Sequence, residues 1–136
     1  MTDSEKWSVW TLGVIALTTT AYFIFVALRG HGPATISVFA LTALVAINKR
    51  SFRSVIGPRF DERESEIARK ALLTSFRVMW LAVVAGFVIT GHIKGWDTTL
   101  SLPMWKLAEI FWWLSMLMLA VQAGTTLLLY RRGNNA

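Results

Sequence analysis

His31 in Arg29-Gly30-His31-Gly32 and His92 in Gly91-His92-Ile93 are the residues whose type most directly suggests chemistry. Imidazoles on two helices are one way a b-type haem is held between membrane spans. Ligands of that kind sit inside helices, whereas both of these histidines end apolar runs beside glycine. No thiolate or carboxylate accompanies them in the pattern a metal site favours. Ordinary outer-loop histidines are therefore the expectation, with no cofactor and no metal, and haem at His31 and His92 stands as the alternative. The chain has no cysteine, which removes disulfides, iron–sulfur clusters, thiolate zinc sites and cysteine nucleophiles. It also carries no Gly-rich phosphate loop, no nucleophile elbow and no His-Glu-x-x-His. No catalytic residue is assigned, and the chain is expected not to be an enzyme.

Polar side chains inside apolar runs are the second source of chemistry, because each is costly in a bilayer and marks a function by default. Arg77 falls about 9 Å inside the third apolar run and Gln122 about 12 Å inside the fourth, at 1.5 Å per residue. Thr125 and Thr126 share a helix face with Gln122, and Thr42 in the second run lies at a similar depth. Arg77, Gln122, Thr125 and Thr42 are thus expected to lie at one level, as hydrogen bonds between helices or as a small polar pocket. The Arg77 side chain is long enough to reach back towards lipid phosphates. Thr18-Thr19-Thr20 points in three directions and can bond its own helix carbonyls. Glu109 is expected to form a surface ion pair with Lys106 one turn earlier. With Asp97 and Glu109 both at the outer edge, proton-driven export is disfavoured.

The elements that position these groups are apolar helices. In 136 residues, 54% are hydrophobic and 16% charged, with mean hydropathy +0.50, well on the greasy side of soluble domains. A spanning helix needs roughly 20 mainly apolar residues for a hydrocarbon core of about 30 Å. The runs at 7–28, 34–48, 71–91 and 110–130 are read as four spans of one transmembrane domain. The second begins at Gly32-Pro33, proline suiting a first helical turn. The first run exceeds the roughly 7–15 residue core of a signal peptide and lacks a net positive flank, so it is expected to remain as a span. The fold class is all-α, an integral membrane four-helix up-down bundle.

Orientation follows from lysine and arginine. With the amino terminus inside, eleven of the fourteen fall on the cytoplasmic side, and only Arg29, Lys94 and Lys106 fall outside. That bias places both termini in the cytoplasm. The net charge of +6 and pI of about 10.3 would suggest nucleic acid in a soluble protein. Here the charges cluster between apolar runs, so anionic phospholipid is the expected partner and nucleic acid is not. Lys49, Arg50 and Arg53 alternate with Phe52, Val55 and Ile56 in a lipid-facing basic pattern.

Between the second and third spans, Arg59-Phe60-Asp61-Glu62-Arg63-Glu64-Ser65-Glu66-Ile67-Ala68-Arg69-Lys70 holds eight ionisable residues in twelve. Asp61 and Glu64 have the spacing of a capping box, Gly57-Pro58 ends what precedes, and Glu66 can pair with Arg69 or Lys70. The stretch at 49–70 therefore reads as a cytoplasmic loop and a helical stem extending the third span. From 62 to 91 that helix would be about 45 Å long, some two turns more than the membrane requires. Asp61, Glu62, Arg63 and Glu66 are the candidate partner-binding residues. Ala82-x-x-x-Gly86 and Ala120-x-x-x-Gly124 are small-xxx-small patterns expected to bring the third and fourth spans together.

The stretch GPRFDERESEIARKA resembles the Asp-Glu-Arg-x-x-x-Ile-x-x-Lys-Ala signature before the third span of small, uncharacterised prokaryotic four-helix membrane proteins. The match covers about a tenth of the chain. It implies the architecture above and a bacterial or archaeal inner membrane, with no mechanism attached. The leading functional expectation is a non-enzymatic subunit or regulator of a membrane complex, contacting other membrane subunits or copies of itself through the charged stem. An oligomeric small-solute or lipid transporter using the polar level around Arg77 is the alternative, and a b-type haem electron carrier is the third reading.

Overall fold

Helix α1 runs from Asp3 to Arg29, a 3-10 helix η1 from Pro33 to Thr42, α2 from Glu62 to Lys94 and α3 from Met104 to Asn134. This computed structural model describes residues 3–45 and 62–134. The three α-helices are long and apolar enough to cross a membrane, whereas Pro33–Val45 is a shorter apolar helix. Two of them end on a left-handed glycine that the positive φ requires: Gly30 (φ 78) after α1 and Gly95 (φ 89) after α2. Each donates its N–H four residues back at 2.9 Å, Gly30 to Val26 and Gly95 to Gly91, as helix-ending glycines do.

The buried stripe of α1 is polar. Glu5, Ser8, Thr11, Thr18 and Tyr22 are buried along with Val14, while Val9, Trp10, Leu17, Phe23, Ile24 and Leu28 are exposed. A helix in water would reverse this arrangement to hide its apolar side chains. With lipid tails as solvent, no hydrophobic force sorts the leucines inward, and small or hydrogen-bonding residues do the packing. The hydroxyls are largely satisfied within their own helix: Ser8 donates to the Ser4 carbonyl at 2.9 Å and Thr18 to the Val14 carbonyl at 2.8 Å. That keeps these two hydroxyls paired where no water can serve them, whereas the buried Thr11 hydroxyl has no partner among the described residues.

The second apolar run departs from an ordinary spanning α-helix. Ten residues in 3-10 geometry is a long stretch for a form that rarely exceeds four. Three of its hydroxyls bond the carbonyl three residues back, from Thr35 to Gly32 at 2.7 Å, Ser37 to Ala34 at 2.6 Å and Thr42 to Phe39 at 2.5 Å. At three residues per turn, one line (Ala34, Ser37, Ala40, Ala43) is exposed throughout, while Thr35, Phe39 and Val45 on the other lines are buried. With about 2 Å of rise per 3-10 residue and one α turn at 43–45, the segment reaches roughly 25 Å.

Helix α3 is the hub, packing against α1, α2 and η1, and η1 also lies on α1. A core of Tyr22, Phe39 and Met116 joins α1, η1 and α3, with Ile15, Val26, Val38, Trp112 and Trp113 around it. By contrast, among the described residues α2 packs on α3 alone. The Arg63 guanidinium lies over Gly133, so α2 runs antiparallel to α3 with its stem beside the end of that helix. The buried residues of α2 are Ile67, Ala71 and Ser75, and most of its remaining apolar surface is exposed.

Candidate functional site

The most organised polar site joins three elements at the end where α1 stops and α3 begins. Glu109, five residues into α3, is only 7% exposed. The Tyr22 hydroxyl of α1 donates to Glu109 Oε1. His31 Nε2, from the turn between α1 and η1, lies 2.9 Å from both Glu109 oxygens. Aromatic rings close around the group. His31 meets Trp105 edge-on with centroids 5.0 Å apart, Tyr22 meets Trp113 at 5.1 Å, and Phe39 stacks on Trp112 at 6.0 Å. Both carboxylate oxygens are engaged by this chain's own donors, and a carboxylate so closed can anchor helices without an open face for a substrate.

This arrangement corrects two expectations. Glu109 is not in a surface pair with Lys106, whose ammonium lies over the Trp105 ring, 5.6 Å from its centroid. His31 is not a free loop residue. The reason is long-range: Tyr22 and His31 are 87 and 78 residues away from Glu109 in the chain, and no local pattern in α3 reveals them. A weak signal was present, since Tyr22 continues the Ser8, Thr11, Thr18 stripe and glycines flank His31.

The polar level expected around Arg77 is not assembled as a pocket. Gln122, Thr125 and Thr42 are half-buried, but Arg77 is exposed on α2. The Gln122 carbonyl accepts the Thr126 hydroxyl at 2.8 Å, and Thr42 is turned to its own helix. Depth was legible from residue counting, but facing was not. The histidines have separate partners, His31 as above and His92 against Trp96 at 5.7 Å; a haem gripped by both would have to draw His31 from Glu109. Among the described residues no three His, Asp or Glu side chains converge as a metal site would need.

The stem residues Glu62, Arg63 and Glu66 are exposed, and the expected pair between Glu66 and Lys70 is present at 2.6 Å. Asp61, Lys49, Arg50 and Arg53 lie outside the described residues. The small-xxx-small positions are not the most buried residues of α2 and α3. Ala82 and Ala120 are half-buried and Gly86 is exposed, and a Cβ built on Gly86 or Gly124 would meet nothing within 4 Å. The seam instead closes on Ala71 and Ser75 in α2, with Ala123 and Thr126 buried on α3. Those small residues are nearer the stem, about two to three turns below the glycine motif of α2.

Long apolar helices with polar residues turned inward and large apolar ones outward define a helical membrane protein. The chain belongs to the family described as Predicted membrane protein (DUF2178), whose family model matches residues 4–133. None of the curated proteins and none of the solved structures compared with the chain matches it.

Proposed function

We propose that this chain is a non-enzymatic subunit or regulator of a larger assembly in a prokaryotic cytoplasmic membrane, acting through contacts made by α2. The observation that carries the reading is that, among the described residues, α2 packs on α3 alone. Its stem and most of its apolar face, including Phe76, Trp80, Leu81 and Phe87, are exposed among the described residues. The core of α1, η1 and α3 is pinned by its own polar group, whereas α2 is attached along one side. Arg77 on that helix is exposed about 9 Å inside the apolar run. A guanidinium at membrane depth is costly, and an acceptor on a neighbouring subunit would relieve it. The antiparallel packing of α3 against both α1 and α2 supports an up-down arrangement, and the eleven-to-three distribution of basic residues supports cytoplasmic termini. Residues 62–67 of the signature then lie on the cytoplasmic stem, where an unlike partner would dock on Glu62, Arg63 and Glu66. The alternative reading, an oligomeric small-solute or lipid transporter using Arg77, Gln122 and Thr125, draws on the same exposed Arg77.

Purification of the tagged chain from its native membrane, followed by mass spectrometry, tests the reading. Unlike membrane chains should co-purify with the wild type and be lost from Glu62→Lys/Glu66→Lys, with the variant's own abundance unchanged. An unaccompanied wild-type monomer, or a variant that keeps every partner, refutes it.

A further inference from the structure

The long 3-10 run of η1 needs a cause, because this form makes poorer hydrogen bonds than the α-helix. Its local sequence supplies little of one. Three hydroxyls bonded three residues back fit the form, but Ala34, Ala40 and Leu41 are strong α-helix formers, and the chain turns α at 43–45. The cause lies at the ends. Where η1 begins, His31 Nε2 is held on Glu109 at 2.9 Å. Just past its last residue, the Trp10 indole donates to the Leu44 carbonyl at 3.0 Å.

These two ties set a distance that an α-helix does not cover. The segment returns along α1, which rises about 28 Å between Trp10 and Arg29. From Pro33 to Leu44 the chain covers about 21 Å with the 3-10 rise as far as Thr42, but only about 16 Å as an α-helix throughout. The first leaves roughly 7 Å for the Trp10 side chain and its hydrogen bond to close; the second leaves roughly 12 Å, beyond their reach. Phe39 is a third hold, 1% exposed in the core with Tyr22 and Met116. At about 120° per residue in 3-10 form against 100° in α form, an α-helix started at Pro33 would carry Phe39 about 120° away from that core.

We propose that η1 is a taut strap, kept in 3-10 form by its two end ties and the seat of Phe39, which recoils to α-helix when released at Trp10 and Phe39. Recoil draws Leu44 about 5 Å along α1 towards the His31 end. The Trp10 tie is exposed, whereas Glu109 is buried, so release starts at the Trp10 end, where any competing acceptor for the indole loosens the strap. The chain goes on from Val45 to the stem at Glu62, and the length of η1 therefore sets the level at which that connection starts. The device lies in α1, η1 and α3 and needs no partner on α2.

Solid-state NMR of the 15N-labelled chain in aligned phosphatidylcholine bilayers reads the period of each helix. A nitroxide on Ala43→Cys, in a chain without cysteine of its own, reads depth through collisions with oxygen and a nickel chelate. The wild type should show a period of about three residues over 34–42. Trp10→Phe/Phe39→Ala should show about 3.6, with the label about 5 Å closer to the bilayer centre, while α1 and α3 keep their own α-helical period. Trp10→Phe alone leaves the core filled and should speed amide exchange at 43–45 about tenfold, the effect of losing one hydrogen bond. The proposal is overturned by a wild-type period of about 3.6 in η1, or by a double variant that keeps α1 and α3 but leaves the period or the label depth of η1 unchanged. It is equally overturned by unchanged exchange in Trp10→Phe, which decides the matter if the double variant loses α1 or α3.

Discussion

Replacing Glu109 with alanine is the sharpest probe of how the core of this membrane protein is held. The substitution removes the acceptor of the Tyr22 hydroxyl and the partner of His31 together. Tyr22 is 8% exposed, so its donor is left stranded; an unsatisfied buried donor costs about 1–3 kcal/mol, and measured interhelical bonds in membranes average about 0.6 kcal/mol with a maximum near 1.7. The His31 side chain is 43% exposed and can find water or headgroups, so its share is below about 1 kcal/mol. Glu109→Ala should therefore cost about 2–3 kcal/mol, Tyr22→Phe about 1 kcal/mol and His31→Ala less than 1 kcal/mol. Glu109→Gln, whose amide oxygen still accepts from Tyr22, should fall between wild type and alanine. Unfolding by SDS in mixed micelles, followed by the fluorescence of Trp105 and Trp113 beside the site, gives these values, and a Tyr22→Phe/Glu109→Ala cycle gives the coupling. The reasoning is refuted if Glu109→Ala is within about 0.5 kcal/mol of wild type. It is equally refuted if His31→Ala costs more than Glu109→Ala, or if Lys106→Ala matches it, since Lys106 would then be the true partner.

Three further outcomes test the packing. Ala71→Leu should destabilise by about 1–3 kcal/mol through overpacking of the buried α2 and α3 seam. Gly86→Leu should be neutral or slightly stabilising, because that position is open and leucine is the better helix former by up to about 1 kcal/mol; the reverse order in the same micelle assay would return the seam to the glycine motif. Phe39→Ala should cost about 3 kcal/mol by emptying the centre of the α1, η1 and α3 core, and a loss below about 1 kcal/mol would show that η1 is not part of it.

The helices were legible because hydropathy and length speak locally. An uncharged run such as 7–28 can only be a helix if it enters lipid, and α1, α2 and α3 cover the three long runs. The Glu66 and Lys70 pair was legible for the same reason, being set by a spacing of four on one helix. The second run was less so: Gly32-Pro33 marks its start, but nothing in its composition announces 3-10 geometry. In retrospect its exposed line of Ala34, Ser37, Ala40 and Ala43 has period three, a period that reading for 3.6 passes over. The glycine motifs misled because small residues permit close approach without compelling it, and Ala71 and Ser75 permit it equally well.

By itself the sequence determined that this chain is built of apolar helices and which segment carries its concentrated charge. These follow from backbone satisfaction and side-chain transfer to lipid, which each segment obeys alone. The tertiary structure decided which way each helix faces: that the threonine stripe of α1 turns inward, that Arg77 is left exposed on α2, and that Glu109 is claimed by Tyr22 and His31 from far along the chain. In lipid the apolar faces of a helix are nearly equivalent, so rotation about its axis is chosen by a few hydrogen bonds and close contacts between elements. Those pairings exist only once α1, η1 and α3 have come together.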